Sequence, residues 1–375
     1  MELKNIVRFP IDIQRANRLL GTRNLAIHCQ ENQSNPLLVS DPNPSQRPIV
    51  LDLYTPQMLF DCGRHFASLA HFCNQIGSRF FVRSSRMVLA GIARKVHGAE
   101  MLADPNAYWI GPDSDLPHDA FVLSDAAYEK QTRPGTPHHS LEMLIGRDIP
   151  RDLPVMPYPM HPATLRCSDD LSSFKLREHR SRSGVLFAGS QKSKYGHDKM
   201  QQQFGVLSRL DLLKVIQQWA GDRADGSVPI VLRDSGKAPI ESKDWLPFLA
   251  KHSFFVCCPG AAQPMCHNLI EAMSVGTIPL IEYGDRMRPE LEDGVTAVCF
   301  RGADGLHDAL DRIDQMPPKQ VETLSRSVAQ YYDQHLCGKR FLKSLRDETI
   351  DVSLGQVVMP FHSENFYGPL RAWAA

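Results

Sequence analysis

Residues 254–282 read FFVCCPGAAQPMCHNLIEAMSVGTIPLIE, and this stretch decides the fold class. Its apolar runs at 254–258 and 277–281 predict two strands that are buried on both faces, because neither run alternates polar and apolar residues. Between the two runs, apolar residues recur at helical spacing, which predicts a helix from His267 to Ser274. A strand, a helix and a second strand in this order predict a right-handed crossover in a parallel sheet.

The loop after the first of these strands leads to the start of the helix. It carries Gly260, Ala261 and Gln263 to a helix end with free backbone N–H groups and a positive dipole, which suits a phosphate. Glu271 follows His267 by one turn on the same face, where its carboxylate could accept both hydroxyls of a ribose. These residue types therefore predict a nucleotide-binding loop and helix.

Apolar runs and helical patterns alternate through the rest of the chain. The predicted strands are 24–28, 49–54, 79–84, 108–111, 121–124, 184–189, 229–234 and 297–300. The predicted helices are 55–76, 86–95, 202–219, 245–251, 305–313 and 319–335, with one more in the tail. This alternation predicts an α/β fold built on parallel sheets.

Residues 129–162 interrupt the alternation, because they are rich in Pro, Gly and His and end in MPYPMHP. Proline excludes helix and stiffens a linker, so this segment predicts a connection between domains. We expect an N-terminal domain at 1–160 and a C-terminal domain at 161–339. Ligands of such sheets bind beyond the carboxyl ends of the strands, so the strand-end loops decide the chemistry.

The composition excludes several classes of protein. The chain has 375 residues, with 42 Lys plus Arg and 42 Asp plus Glu, so its net charge of zero gives no reason to expect a nucleic-acid or anionic-membrane partner, and it leaves open a local basic patch. It has no signal-peptide pattern and no apolar run near the ~20 residues of a membrane span. Its nine cysteines contain no CxxC pair, which predicts reduced thiols in a cytoplasmic protein rather than disulfides or a zinc site.

The central stretch resembles the nucleotide-sugar site of GT-B glycosyltransferases, in particular exostosin-like enzymes and bacterial surface-polysaccharide transferases. The residues that carry the resemblance are Pro259-Gly260, Glu271-Ala272, Gly276 and Ile278-Pro279, in that order behind an apolar strand. The resemblance implies two Rossmann-like domains that face each other across a cleft, with an acceptor domain first and a donor domain second. It also implies that the tail, 340–375, packs back on the first domain and that no metal is needed. The alternative is an ordinary βαβ unit in which Gly and Pro are punctuation.

Asp234 is the candidate catalytic residue. It ends an apolar strand, and Arg233 and Lys237 beside it would keep its carboxylate ionised. The chain is loosely similar over most of its length to retaining β-Kdo transferases, and that resemblance implies that Asp234 takes the sugar from CMP-Kdo covalently. A carboxylate that forms and then releases a glycosyl ester provides the two inversions that retention needs. An aspartate before Ser-Gly is otherwise an ordinary turn residue.

Further donor contacts come from the same strand-end loops. Ser190, Lys192 and Lys194 follow the first strand of the second domain, where the lysines could stabilise the departing phosphate or lie in a solvated loop. His267 and Asn268 stand where exostosin-like enzymes often carry Ser-x-Arg, so the phosphate contact of a UDP-type donor would differ here.

The acceptor is expected in the first domain. Its candidate contacts, near strand ends, are Tyr54, Gln57, Arg64 and Arg86. Three residues could serve as the general base, and the sequence does not choose among them: His65, His161 and Asp125.

Two other patterns offer metal-binding residue types. Asp113-Ser114-Asp115 is the DxD sequence of GT-A glycosyltransferases, but the prolines around it are typical of a turn. His138-His139 with Glu142 lies in a Pro-rich segment without a second cluster. We expect no metal at either place.

The sequence thus predicts a metal-independent glycosyltransferase that builds a bacterial surface glycan, with CMP-Kdo as the leading donor. It would lie in the cytoplasm, in peripheral association with a membrane-linked acceptor, and could be fused to other transferase modules. Three alternatives stay open: an inverting exostosin-like enzyme that uses a UDP-sugar, a GT-B-like binding module without chemistry, and a sugar epimerase.

Overall fold

A computed structural model describes residues 3–25, 47–55, 63–135, 140–168, 173–178, 182–196, 199–223, 228–261 and 263–360. The described chain divides into two compact units, one of residues 1–157 with 338–360 and one of residues 158–337. Each unit is built around its own parallel sheet. The α/β class with two Rossmann-like sheets, which the sequence predicts, is confirmed.

The first unit contains six strands and five helices in its described part. The strands are β1 (Ile49–Leu53), β2 (Phe80–Ser84), β3 (Ala107–Ile110), β4 (Phe121–Ser124), β5 (Ser140–Gly146) and β11 (Gln356–Pro360). The helices are α1 (Leu3–Leu20), α2 (Gly63–Gln75), α3 (Arg86–Arg94), α4 (Val96–Ala103) and α13 (Gly338–Arg346).

The strand order in this sheet is β11-β5-β4-β1-β2-β3, and every pairing is parallel. Strands β1 and β2 are buried along their whole length, as their continuous apolar character requires. The order reverses at β1, which lies between β2 and β4. Such a switch point opens a crevice at the carboxyl ends of the strands, and β1 ends there next to Tyr54.

Several predictions for the first unit were wrong. Helices α1 and α4 and strand β11 were not predicted, and β5 lies within the segment interpreted as an irregular connection. The predicted strand at 24–28 is reduced, in its described part, to a single bridge between Asn24 and Trp109. Strand β5 pairs with both β4 and β11, so partners distant in sequence stabilise it where local composition favours a loop.

The second unit contains the remaining elements of the described chain. Its strands are β6 (Val185–Gly189), β7 (Ile230–Asp234), β8 (Phe254–Val256), β9 (Ile278–Ile281) and β10 (Val298–Cys299). Its helices are α5 (Pro162–Ser168), α6 (Ser173–Leu176), α7 (Lys199–Phe204), α8 (Arg209–Gly221), α9 (Ser242–Leu249), α10 (His267–Ser274), α11 (Gly302–Asp314) and α12 (Pro318–Tyr331), which continues as a π-helix over Tyr332–Leu336.

The strand order here is β10-β9-β8-β6-β7, again with parallel pairings only. The order reverses at β6, so the ends of β7, β6 and β8 are neighbours. The predicted bounds of α10 are confirmed. The single helix predicted at 202–219 is instead two helices, because Gly205 adopts a φ of +64° after α7 and breaks the helical path.

No helix in the described part of the chain combines the length and apolar character that crossing a bilayer requires.

Candidate functional site

Three neighbouring strand ends form the candidate site in the second unit. Strand β6 leads into Ser190, β7 ends at Asp234, and β8 leads into Pro259. The peptide bond between Ser190 and Gln191 joins the first two ends, because its N–H donates to Asp234 Oδ1 at 3.3 Å. The predicted meeting of these loops at one edge of the sheet is therefore observed within this unit.

Arg209, at the start of α8, links the ends of β6 and β8 by hydrogen bonds. It was not among the site residues predicted from the sequence. Its Nη1 donates to the carbonyl oxygen of Ser190 (3.3 Å) and its Nη2 to that of Pro259 (2.9 Å). The guanidinium carbon lies 3.9 Å from the ring centroid of Tyr195. Gly189 leaves room for this packing, since a Cβ there would lie 3.3 Å from Arg209 Nη1.

Within the described part of the chain, the charge of Arg209 has no anionic partner. The side chain is only 6% exposed, yet no carboxylate among the described residues forms an ion pair with it, and its Nε has no hydrogen-bond partner there. The neighbouring Ser190 Oγ is also buried without a partner in the same part of the chain. Buried polar groups are normally hydrogen-bonded, and buried charges are normally paired. A bound anion would supply both the opposite charge and the missing hydrogen-bond partners.

The sequence does contain a signal for this arginine. Ser208 Oγ accepts the N–H of Asp211 at 3.2 Å and caps α8. A serine followed by an acidic residue three positions later is typical of a helix start. This pattern would have placed the start of the predicted helix at Arg209 instead of residue 202.

Asp234 stabilises a turn, and the same hydrogen bonds fix the orientation of its carboxylate. Its Oδ1 accepts the N–H groups of Gly236 (2.9 Å) and Gln191, while its Oδ2 accepts no hydrogen bond from the described residues. The expected cationic support is absent from the described structure. Arg233 points to the other side of the strand and donates to the carbonyl of Ala238 (2.9 Å), and Lys237 is exposed without an ion pair to Asp234.

The predicted phosphate loop has the tight geometry that its glycine allows. A Cβ on Gly260 would lie 2.7 Å from the carbonyl oxygen of Gln263, so only glycine fits without a shift of the loop backbone. Gln263 is buried and Ala261 is exposed. Cys266, the residue before α10, makes no side-chain cap, so its side chain does not occupy the N-terminus of that helix.

Glu271 is buried, with 1% of its surface exposed, and both of its oxygens bind the protein. Oε1 accepts the backbone N–H of His161 at 2.9 Å, and Oε2 accepts the indole N–H of Trp245 at 2.6 Å. In this conformation Glu271 ties α10 to α9 and to the residue before α5. Its predicted contact with a ribose stays a prediction.

Two histidines lie side by side at the start of α10. The rings of His161 and His267 have centroids 5.5 Å apart in an edge-to-face arrangement. His161 Nδ1 accepts the N–H of Ala163 at 3.3 Å, which places the proton of the neutral ring on Nε2. Half-buried Asn268, beside His267, accepts the thiol of buried Cys266 at its Oδ1, with Sγ 3.4 Å away.

The two predicted phosphate lysines lie in the exposed loop after β6. Lys192 and Lys194 form no ion pair with a described residue, and Lys194 Nζ is 5.0 Å from the ring centroid of Tyr195, which Arg209 also contacts. Their side chains are therefore exposed to solvent in the same loop as Tyr195, on which Arg209 packs.

At the carboxyl edge of the first unit, the structure places a charge cluster that the sequence did not predict. Buried Asp52 accepts hydrogen bonds from Arg83, on the neighbouring strand, and from Arg133. The Arg133 guanidinium carbon lies 3.9 Å from the ring centroid of Tyr54. Of the predicted acceptor residues, Tyr54 thus belongs to this cluster. Arg64 is half-buried on α2, Arg86 is exposed at the start of α3, and Gln57 lies outside the described residues.

The general-base candidates of the first unit have opposite titration behaviour. Burial raises the pKa of Asp125 to about 6, although it accepts the N–H groups of Tyr54 (2.6 Å) and Thr55 (3.0 Å). Burial lowers the pKa of His65 to about 3, with Arg64 adding to the effect. His65 is 3% exposed and stays neutral at physiological pH.

Of the alternative metal motifs, the DxD segment borders the charge cluster of the first unit, because Arg83 Nη1 donates to the carbonyl oxygen of Ser114 at 3.5 Å. Asp113 and Asp115 are exposed, and Ser114 between them closes a turn by donating its N–H to Gly111 at 3.2 Å. Glu142 is buried on β5 and accepts the amide of Gln356 at 2.9 Å, while His138 and His139 lie outside the described residues. No group of three or more His, Cys, Asp or Glu side chains in the described chain is placed to hold a metal ion.

Comparisons with known proteins give remote structural similarities. No protein-family model matches the chain, and no curated protein matches it. Sucrose-phosphate synthase from Thermosynechococcus elongatus is 11% identical, with a TM-score of 0.39 over 81% of this chain and 98% of that chain. HepE of Anabaena, solved in complex with UDP, is 10% identical, with a TM-score of 0.40 over 80% of this chain and 99% of that chain. The O-GlcNAc transferase of Thermobaculum terrenum is 10% identical, with a TM-score of 0.36 over 92% of this chain and 75% of that chain. Because these TM-scores are low, the residues of the chain itself carry the functional argument.

Proposed function

We propose that the chain is a glycosyltransferase whose second unit binds the phosphate of a nucleotide sugar at the carboxyl edge of its sheet. The observation that carries the proposal is Arg209, which is buried at the ends of β6 and β8 with carbonyl partners but no described carboxylate. A buried charge is costly unless an opposite charge and hydrogen bonds complete its surroundings. A phosphate supplies both, and guanidinium is the side chain that best matches it.

The surroundings of Arg209 offer further groups that suit the phosphate of a nucleotide. The loop at Gly260 leads to the N-terminus of α10, whose N–H groups and dipole favour negative charge. His267, which opens α10, and the neighbouring ring of His161 add nitrogen donors at this end of the helix. The sequence order from Pro259-Gly260 to Ile278-Pro279, which resembles nucleotide-sugar sites, passes through the same loop and helix.

For the chemistry, we propose a retaining transfer with Asp234 as the nucleophile and CMP-Kdo as the leading donor. One oxygen of Asp234 is held by backbone N–H groups, which leaves Oδ2 for attack on the anomeric carbon. The bond from that carbon to the CMP phosphate breaks as the carboxylate ester forms, and the phosphate departs with its negative charge stabilised by Arg209 and α10. An acceptor hydroxyl then displaces the carboxylate and gives its proton to a base, which restores the original configuration.

Two other functions fit part of the site. An inverting enzyme with a UDP-sugar would use the same phosphate contacts and would leave Asp234 as the residue that caps the turn at Gly236. A binding module without chemistry would keep the nucleotide and never consume the donor. Product analysis with an acceptor would separate transfer from epimerisation.

The test is thermal unfolding of the full chain with CMP, UDP, GDP or buffer, each with and without a chelator. A ligand at about 100 times its dissociation constant adds roughly 2.7 kcal/mol to the free energy of unfolding, which such a measurement resolves. We expect a stabilisation by CMP that the chelator leaves unchanged and that Arg209→Lys reduces. Arg223→Lys is the matched control, because Arg223 pairs with Asp311 and Asp314 away from the loops.

A response to UDP alone would favour the inverting alternative. No response to any nucleotide would contradict the proposed phosphate site. Stabilisation without any donor hydrolysis or transfer would favour the binding module.

A further inference from the structure

The first helix of the chain presents an apolar and cationic face to solvent. Val7 is 70% exposed and Ile11 is 64% exposed, whereas residues on the opposite side of α1, such as Ala16 and Leu20, are buried. At 3.6 residues per turn, Val7, Ile11, Arg15 and Arg18 fall within about 80° of one another around the helix axis. The helix is thus anchored to the fold by one side and leaves large aliphatic groups on the other.

The charge of this face has one sign. Arg8, Arg15 and Arg18 are exposed, and none of them forms an ion pair with a described residue. Asp12 is the only acidic residue of α1, and it is 5% exposed, at the buried flank of the helix about 100° from Ile11 around the axis. Exposed aliphatic groups on a face without negative charge are unusual for a surface that meets only water.

The two helices that pack on α1 also carry exposed hydrophobic residues next to basic ones, and the one acidic residue in them, Glu100 on α4, pairs with His97. Met87 on α3 is 38% exposed and Val96 on α4 is 70% exposed. Arg86 and Lys95 are exposed beside them. Of the seven exposed large hydrophobic residues in the described chain, four therefore lie on these three helices.

We propose that the exposed face of α1 docks on an anionic phospholipid surface. The arginines would meet lipid phosphates while Val7 and Ile11 enter the boundary between headgroups and acyl chains, as in interfacial amphipathic helices. Charge complementarity favours lipid over a second copy of the chain. A two-fold contact through this face would bring the arginines of both copies together, and the one carboxylate of each helix, Asp12, is buried.

The experiment is flotation of the full-length chain with vesicles of phosphatidylcholine alone or with added phosphatidylglycerol. We expect about tenfold stronger binding to the anionic vesicles and a loss of that binding as salt shortens the Debye length from about 10 Å at 0.1 M to about 3 Å at 1 M. The variant with Arg8→Gln, Arg15→Gln and Arg18→Gln should lose most of the binding. The variant with Val7→Gln and Ile11→Gln should weaken it without removing its salt dependence.

Leu354→Gln is the matched control, because Leu354 is 60% exposed in the same unit but lies outside α1. Circular dichroism and the unfolding midpoint would establish that each variant is folded. Equal binding to both kinds of vesicle, no binding to either, or an equal effect of the control would overturn the proposal. So would a dimer in light scattering that the Val7 and Ile11 changes dissociate without any effect on vesicles. Because α1 takes no part in the nucleotide site, vesicle binding without a nucleotide response would support this surface and contradict only the proposed transferase.

Discussion

Asp234 and Arg209 bind opposite ends of a single peptide group. Asp234 Oδ1 accepts the N–H of Gln191, and Arg209 Nη1 donates to the carbonyl oxygen of Ser190, each at 3.3 Å. A hydrogen bond at one end of a peptide polarises the other, so the anionic and cationic side chains favour the same orientation of this group. The candidate nucleophile and the candidate phosphate ligand are thereby positioned by the same turn of backbone after β6.

This relationship predicts separable roles for the two residues. We expect Asp234→Asn to retain CMP binding, because the amide oxygen can still accept the N–H groups of Gln191 and Gly236, while the variant loses transfer. Incubation of the wild-type chain with CMP-Kdo should add the mass of one sugar in intact-protein mass spectrometry, and Asp234→Asn should not. An adduct that persists in Asp234→Ala would remove Asp234 from the mechanism.

The bounds of α10 could be predicted from sequence because helix- and strand-breaking residues lie on both sides of it. Pro259-Gly260 stops the strand before it, and Gly276, with a φ of +74°, follows its end. Arg209 could not be predicted in the same way. An arginine at this spacing is typical of an exposed helix residue. Its proposed role depends on its burial against the ends of β6 and β8, which the sequence alone does not reveal.

A similar limit applies to strand β5 and to Glu271. The run from Leu141 to Ile145 is apolar except for Glu142, but the Pro-, Gly- and His-rich sequence around it suggested a loop, and its partner β11 lies more than 200 residues later in the chain. Glu271 was placed on the correct helix. That its carboxylate is already occupied by His161 and Trp245 depends on tertiary contacts, which no spacing rule reveals.

Gly260→Ala should weaken both nucleotide binding and stability. The new Cβ would lie 2.7 Å from the carbonyl oxygen of Gln263, a backbone atom that cannot rotate away. We expect a loss of about 1–3 kcal/mol in the free energy of unfolding, as for other overpacked sites, and a smaller CMP-induced shift. Urea unfolding with and without CMP measures both effects. Gly221→Ala is the control, because nothing lies within 4 Å of a Cβ there, and an equal loss in the control would contradict the assignment.

Asp125 should contribute stability to the folded chain on mild acidification. Its pKa is raised from 3.8 to about 6 in the folded chain, so the folded state takes up a proton before the unfolded state does. Its contribution to the free energy of unfolding therefore rises as the pH falls from 7 to 5, by about 1.4 kcal/mol for one pKa unit. We expect Asp125→Asn to lack this gain when urea unfolding is compared at the two pH values. An unchanged pH response would mean that Asp125 titrates near its ordinary pKa.

His65 should have the opposite effect over the same pH range. Its pKa is lowered from 6.5 to about 3 by burial, so below pH 6.5 the unfolded chain binds a proton that the folded chain does not. Stability is thereby lost as the pH falls from 6.5 towards 3, with about 2 kcal/mol lost by pH 5 at about 1.4 kcal/mol per pH unit. His65→Gln should remove this loss whatever its effect on stability at pH 7. We subtract the free energy of unfolding at pH 7 from that at pH 5. Relative to the wild type, this difference should be more positive in His65→Gln and more negative in Asp125→Asn. Shifts of the same sign in both variants would contradict at least one of the two assignments, and wild-type chain measured in the same buffers provides the reference.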